Sequence, residues 1–488
     1  MSGGEHVHAT AGHRRARAGR TTSTVCFASV ARVSESSRHI RRLSAFGAVL
    51  VVASGLMSAT SAAPAVTPTQ ITYRVTSTAD QVDASPGDGM CRTAAGTCTL
   101  RAAVMEAAHH ADAVVTIVLP AGRFVFTRPP QLGVLDLSTR GALYNNGTMF
   151  IRGAGARRTI LDPDRLDRAL FNNVGAHLTI SDLTITNGLY RVTTPEPGPI
   201  GGGAIGNAGI LTLRRVTMSH NESPTGGALM DGELGHGDLA FPDSYLAMYD
   251  STVSDNVAEW GAGGMRLDGD ALVVNSTISG NRVTWPNPNL TYDGGLFGEG
   301  GGIDARGEGQ VDIISSTITD NHAVSGGGGV NMTNGYFGGI AAGLLPGPMT
   351  LLNTIVVGNT SVKGPANCKH IGATLSSRGH NILGDATCQP TGPGDQLRAS
   401  AGLGTFGNHG GPTNTYNLLP RSPAIGRGAT VGCPATDQRG VARRARCDVG
   451  AFQDAVSVKR SRGRTAARLQ ARRAAGARRA LRTPGRSR

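Results

Sequence analysis

The sequence predicts an all-β protein, a parallel β-helix in which short coils stack on one another, and three observations lead there. Seventy glycines and an aromatic content of 4% in 488 residues leave too little bulk for ordinary cores closed by large side chains. Between about residues 150 and 360 one pattern returns: an alternating apolar strand, a Ser/Thr pair, a β-branched residue, an Asn and a Gly-rich step. Its period-2 apolarity, without sustained i, i+3, i+4 spacing, marks strands. The Asn keeps its slot in every copy but the first, where Gly188 stands, as stacking of equivalent turns requires.

Taken in order, residues 1–65 read as a leader. Arg38, Arg41 and Arg42 precede an apolar run at 43–57 and small residues at 58–65, the anatomy of an export signal with a peptidase site. The run is shorter than the roughly 20 residues of a membrane span, which favours export over an anchor. The long stretch before Arg38 leaves open an extended leader or a start downstream of Met1. Cys26 lies in this leader, and the remaining six cysteines fall in three close pairs, Cys91 with Cys98, Cys368 with Cys388 and Cys433 with Cys447. That even number suits an oxidising compartment, although six cysteines allow about fifteen connectivities. Zinc is disfavoured by the lack of Cys-x-x-Cys or adjacent His spacing. The location expected is secreted or cell surface.

Residues 66–128 are expected to cap the stack, because an open end would expose unpaired strand edges. A strand is expected at 71–77, and Thr99 can N-cap a helix over 100–109 with Leu100, Val104 and Ala107 on one face. Residues 129–365 carry the repeats: LTLRRVTMSHN (211–221), LAMYDSTVSDN (246–256), LVVNSTISGN (272–281), VDIISSTITDN (311–321) and MTLLNTIVVGN (349–359), after a degenerate LTISDLTITNG (178–188). Asn221, Asn256, Asn281, Asn321 and Asn359 are spaced 35, 25, 40 and 38 residues apart, a short coil plus insertions on loops. Coils stacked at roughly 4.8 Å bring these amides above one another, where they can hydrogen-bond as a ladder. The competing reading is N-glycosylation, since Asn221-Glu-Ser223 and Asn359-Thr-Ser361 are formal sequons. The glycines following each Asn are expected to supply φ > 0 at the corners.

At residues 98–103, Cys-Thr-Leu-Arg-Ala-Ala, with VTSTADQVDASPGDGMC before and CTLRAAVMEA through the motif, the chain resembles the bacterial CSLREA-domain proteins over residues 71–126; Ala102 stands where the family has Glu. GNHGGPTNTYNLLPRSPAIGRG (407–428), DQRG and CDVGAFQ (to 453) resemble the choice-of-anchor Q segment, which follows right-handed parallel β-helix repeats in secreted or surface proteins. Residues 366–454 are accordingly expected to hold C-terminal coils and this segment. The GGAI and GGAL steps at Gly202 and Gly226 are similar to polymorphic outer-membrane protein repeats. Together these resemblances imply a right-handed, single-stranded, pectin-lyase-like β-helix at the cell surface, and no particular reaction.

The sequence offers no complete catalytic constellation. Gly235-His236-Gly237 lacks the paired acids and Arg-x-Lys of polygalacturonase-like hydrolases, and Arg421-Ser-Pro423 with Arg427 has the wrong spacing for a lyase. Asp255 and Asp320 occupy the same slot two coils apart, roughly 9–10 Å, near the separation of an inverting pair. They are the candidate catalytic residues, and solvated turn acids are the simpler account. No cofactor is expected; Ca²⁺, if held at all, would fall to Asp268 and Asp270 or to loop carbonyls near Asp304. Trp285, Tyr292, Phe297, Tyr336 and Phe337, in the insertions at 281–300 and 331–348, are the expected ligand contacts.

The formal charge of +13 looks like that of a nucleic-acid binder, but its distribution argues otherwise. Residues 1–63 carry eight arginines against two acids, and residues 459–488 carry twelve cations and no acid, which leaves five more acids than bases between them. The tail at 455–488 is expected to be disordered, or to adhere to an anionic surface. The expected function is binding or adhesion to an extracellular or cell-surface polysaccharide without catalysis, with no specific nucleic acid and no membrane span. The alternative is a polysaccharide lyase or glycoside hydrolase on the same scaffold, betrayed by acids from neighbouring coils converging with a basic partner.

Overall fold

The computed structural model describes residues 67–454 apart from 132–137, 192–200, 233–243, 286–290, 293–294, 297, 308, 334–346, 372–373 and 390. One helix, Leu100–Ala107, accompanies three long sheets of 18, six and eight strands among these residues. The main and eight-stranded sheets are parallel throughout, and the six-stranded one is parallel up to a terminal antiparallel pair.

The chain visits the sheets in rotation. Tyr245–Tyr249 and Thr252–Ser254 lie in the main sheet, Val257–Gly261 in the six-stranded sheet and Met265–Leu267 in the eight-stranded sheet; Asp270–Val274 then returns beside Tyr245–Tyr249. Like meets like: Thr217, Thr252, Thr277 and Thr317 are successive partners, as are Leu213, Met248, Val273, Ile313 and Leu351. The latter five are fully buried, so alternation along each strand becomes an apolar column down the stack. This all-β rotation through long parallel sheets is consistent with a parallel β-helix.

Two columns of left-handed residues bend each coil. Arg215, Asp250, Asn275, Ser315 and Asn353 break the main-sheet strand in two, and His220, Asp255, Gly280, Asp320 and Gly358 stand just before the ladder asparagines. Short polar side chains make most of these two columns. The Gly-rich step adds a third left-handed column, as expected of its glycines, at Gly202, Gly226, Gly300 and Gly327, with Ala262 in the coil between, and it also serves close approach. A Cβ on Gly264 would lie 2.4 Å from Gly302 O, and one on Gly302 would lie 2.7 Å from Gly329 O, so neighbouring coils touch backbone to backbone there.

The N-terminal segment supplies rungs of the same stack: Gln70–Arg74 pairs with Val114–Val118, which pairs with Thr148–Arg152. Thr99 caps the helix by accepting from Ala102 N at 3.1 Å. The helix ends two residues earlier than the sequence suggests and is buried on every side, not on one face. Its arginine hides because Arg101 pairs with Asp80 at 2.5 Å and donates to Ser138 O and Gly141 O, which satisfies a charge that would otherwise stay outside.

At the other end the main sheet closes with Ile382–Leu383 and Gln396–Leu397, after which the chain runs back along the stack. Thr413 donates to Asp250 O, Asn414 O accepts from Thr252, Thr415 bonds Thr277, and Gln438 ties Thr252 to Thr277. These contacts bury Thr252 and Thr277 and cover that part of the main sheet. The disulfides join Cys91 to Cys98, Cys368 to Cys388 and Cys433 to Cys447, with Cα separations of 5.1, 4.9 and 6.4 Å. No helix among the described residues is long and apolar enough to cross a membrane.

Candidate functional site

The five repeat asparagines lie in one file. Asn221 Nδ2 donates to Asn256 Oδ1, Asn256 to Asn281, Asn281 to Asn321 and Asn321 to Asn359, each at 2.9 Å, and a sixth, Asn367, receives Asn359 at the same distance. Each acceptor oxygen also takes the backbone N–H of the preceding asparagine. Asn221 and Asn359 are 0% and 1% exposed, so neither sequon is open to a glycan in the folded chain.

A second file, not anticipated, runs at the far end of the eight-stranded sheet: Asn145 to Asn172, Asn172 to Asn207, and Asn207 to Asp231. Its signature, Ala-Leu/Ile-x-Asn/Asp at Ala142, Ala169, Ala204 and Ala228, stands in plain view but is masked by variable third residues. Burial pushes the carboxyl of its last member, Asp231, up to about 8, so the file ends in a neutral acid below that pH.

The outer face of the eight-stranded sheet holds the acids and bases that the enzymatic alternative calls for. Arg266, Asp304, Asn331 and Lys369 are successive partners on neighbouring strands. Glu299 reaches Lys369, and Arg306 at 3.5 Å; Asp304 takes Arg306 at 2.7 Å and Asn331 at 2.7 Å; Arg266 pairs with Asp268 at 3.0 Å. Burial raises the Asp268 carboxyl against the pull of Arg266. Three acids meet three bases, and Glu299 and Asp304 are fully buried. Among the described residues such a network is charge-balanced and suited to holding coils together. Asp268, expected with Asp270 as a calcium ligand or a solvated turn acid, is committed to Arg266, and Asp304, whose neighbouring loop carbonyls were the other expectation, is committed to Arg306.

Asp255 and Asp320 both lie exposed at the corner preceding the ladder. Asp320 accepts the Tyr416 hydroxyl at 2.5 Å, and burial, with that bond, raises the Tyr416 phenol. Asp255 leans over Gly280, where a Cβ would lie 2.6 Å from its carboxylate. The returning C-terminal segment thus occupies one of the two acids.

The six-stranded sheet presents the open face. A groove of about 520 Å³ crosses four successive coils there, lined among others by Tyr190, Glu222, Glu259, Trp260 and Thr284. Each lining group arrives by register: Leu189 bridges to Glu222, Glu222 pairs with Val257, Val257 with Arg282, and Thr284 N donates to Ala258 O. A bulge between Ser223 and Thr225 lets Glu259 and Trp260 follow Ala258 at the groove, as bulges re-aim side chains. Arg168, itself buried, stacks 3.8 Å from the Tyr190 ring and fixes it. Arg165 holds Glu222 at 2.6 Å.

Of the aromatics expected to meet ligand, Trp285 follows the groove residue Thr284, one coil below Trp260. Tyr292 lies in a two-residue strand, Thr291–Tyr292, paired antiparallel with Gly295–Leu296. Phe297, Tyr336 and Phe337 lie outside the described residues, as do His236 and the basic tail. Trp260 and Tyr190 were not anticipated, because one lies inside a strand and the other beside the degenerate first coil.

Comparison with known proteins gives no match: no family model fits the chain, and no curated protein or solved structure is significantly similar to it.

Proposed function

We propose that this chain is an exported, right-handed, pectin-lyase-like β-helix that binds a neutral polysaccharide along the groove of its six-stranded sheet, without cleaving it. The observation that carries the reading is the lining of that groove, where Tyr190 and Trp260 stand with Glu222 and Glu259 in a chain with only 4% aromatic residues. Aromatic faces pack against the C–H faces of sugar rings, and carboxylates accept hydrogen bonds from hydroxyls. Arg191 also lines the groove and Arg165 pairs with Glu222, so charge there is near balance, which suits a neutral glycan. Three coil steps of roughly 4.8 Å span about 14 Å, the reach of a short oligosaccharide. The CSLREA-like and anchor-like segments, the disulfides and the leader support a surface or secreted location. Calorimetry of the full chain against neutral oligosaccharides should show saturable binding that falls at least about tenfold in Trp260→Ala, equivalent to roughly 1.4 kcal/mol. Affinity unchanged by that substitution would refute the groove as the site.

The hydrolase reading keeps one supporting observation, two carboxylates from neighbouring coils in one groove. It requires release of reducing ends by the wild type that disappears in Glu259→Gln; binding without release decides for the lectin-like reading.

A further inference from the structure

We infer that the N-terminal loop around residues 83–91 holds a calcium ion between Asp83, Asp88 and Glu106, where the chain closes the first coil. Carboxylate oxygens of these three residues lie within 4.8 Å of one another. Asp83 is 5% exposed and Glu106 is fully buried, so two of the three charges have left bulk water. The cations beside them are weak partners: Arg92 stands 4.0 Å from Asp88 with a half-exposed side chain, and His110 Nε2 is 3.5 Å from Glu106. Three acids gathered with so little counter-charge repel one another and favour a hard cation.

The second, independent observation is Tyr73. It is 6% exposed, and its hydroxyl is buried without a hydrogen-bond partner, a state that ordinarily destabilises a fold. Burial, followed by the negative charges of Glu106, Asp83 and Asp88, pushes this phenol up to about 12. The orphaned hydroxyl thus lies within the field of the same three carboxylates. Ca²⁺ takes six to eight oxygens, more than three carboxylates supply, and a water completing its shell gives the Tyr73 hydroxyl the partner it lacks.

The rest of the loop is shaped around this point. Gly87 N and Gly89 N donate to the two oxygens of Glu106 at 2.7 and 2.5 Å, while Asp83 accepts from Ser85 N and Arg92 N. The Cys91–Cys98 disulfide pins the loop's far end beside the helix. The ion would hold the near end, so that cap closure depends on the calcium of an extracellular medium. The affinity expected is that of extracellular modules, a Kd of ~10⁻⁴–10⁻³ M.

The test uses the full chain stripped with EDTA. Calorimetry with CaCl₂ should show one saturable site, and Tb³⁺ bound in its place should luminesce on tyrosine excitation. Asp88→Asn, a change at an exposed position, should remove both signals while the circular dichroism stays that of the wild type. Tyr73→Phe should remove most of the sensitised Tb³⁺ emission and leave Ca²⁺ bound. Absence of saturable Ca²⁺ binding in the wild type, or binding that Asp88→Asn leaves intact, would overturn the assignment.

Discussion

Two outer faces of the stack carry comparable polar residues and have opposite fates. On the eight-stranded sheet, Glu299, Asp304, Asp268, Arg266, Arg306 and Lys369 pair among themselves, and the two central acids are fully buried. On the six-stranded sheet, Glu222 and Glu259 line a groove beside Tyr190 and Trp260. The lesson is that convergence of charge does not mark a site by itself. Balanced charges close upon one another, whereas acids set among aromatics in an open groove can bond a ligand. Each face also adjoins its own amide file, the asparagines 221 to 367 beside the open face and the file ending at Asp231 beside the closed one.

The contrast can be broken most severely at the closed face. Glu299→Gln leaves Lys369 and Arg306 short of a buried partner and should destabilise the fold by about 3–5 kcal/mol; denaturant unfolding measures it, and unchanged oligosaccharide affinity at permissive temperature would keep the two faces separate in role. Beside the open face, Asn281→Ala removes an oxygen that accepts from both Asn256 N–H groups and a donor that serves Asn321 and Val253 O. A loss of about 2–3 kcal/mol is expected from the groups left unpaired, again read by denaturant midpoint.

The smallest effect has the opposite sign. Asp231 has a folded-state pKa of about 8, above its ordinary 3.8, so the fold favours its neutral form. That contribution is complete below about pH 4 and is lost as pH rises through 8. Asp231→Asn extends the file with an amide that never ionises. It should stabilise the protein by about 1.5 kcal/mol at about pH 5, and by more as pH climbs to about 8. Thermal unfolding across that range checks the slope; a pH-independent difference would contradict the assignment.

These differences also explain what could be read in advance. The asparagine file was legible because Asn221, Asn256, Asn281, Asn321 and Asn359 each follow the same strand pattern, and a parallel stack must place equal slots together. Asn367 escaped notice because it follows Asn359 by only eight residues. The second file hid behind changing neighbours, Tyr144, Phe171, Gly206 and Met230. The ionic network was beyond sequence reasoning, since Glu299 belongs to an insertion and meets Lys369 seventy residues later. The groove depends on a bulge after Ser223, and a bulge of that kind leaves no periodic trace.

Tryptophan fluorescence tests the central claim most directly, since the chain's two tryptophans, Trp260 and Trp285, are at the groove and one coil below. With Trp285→Phe, Trp260 remains the sole reporter. Titration with a neutral oligosaccharide should shift its emission saturably, along the same curve that calorimetry gives. A ligand that binds by calorimetry while the Trp260 emission stays constant would contradict the account.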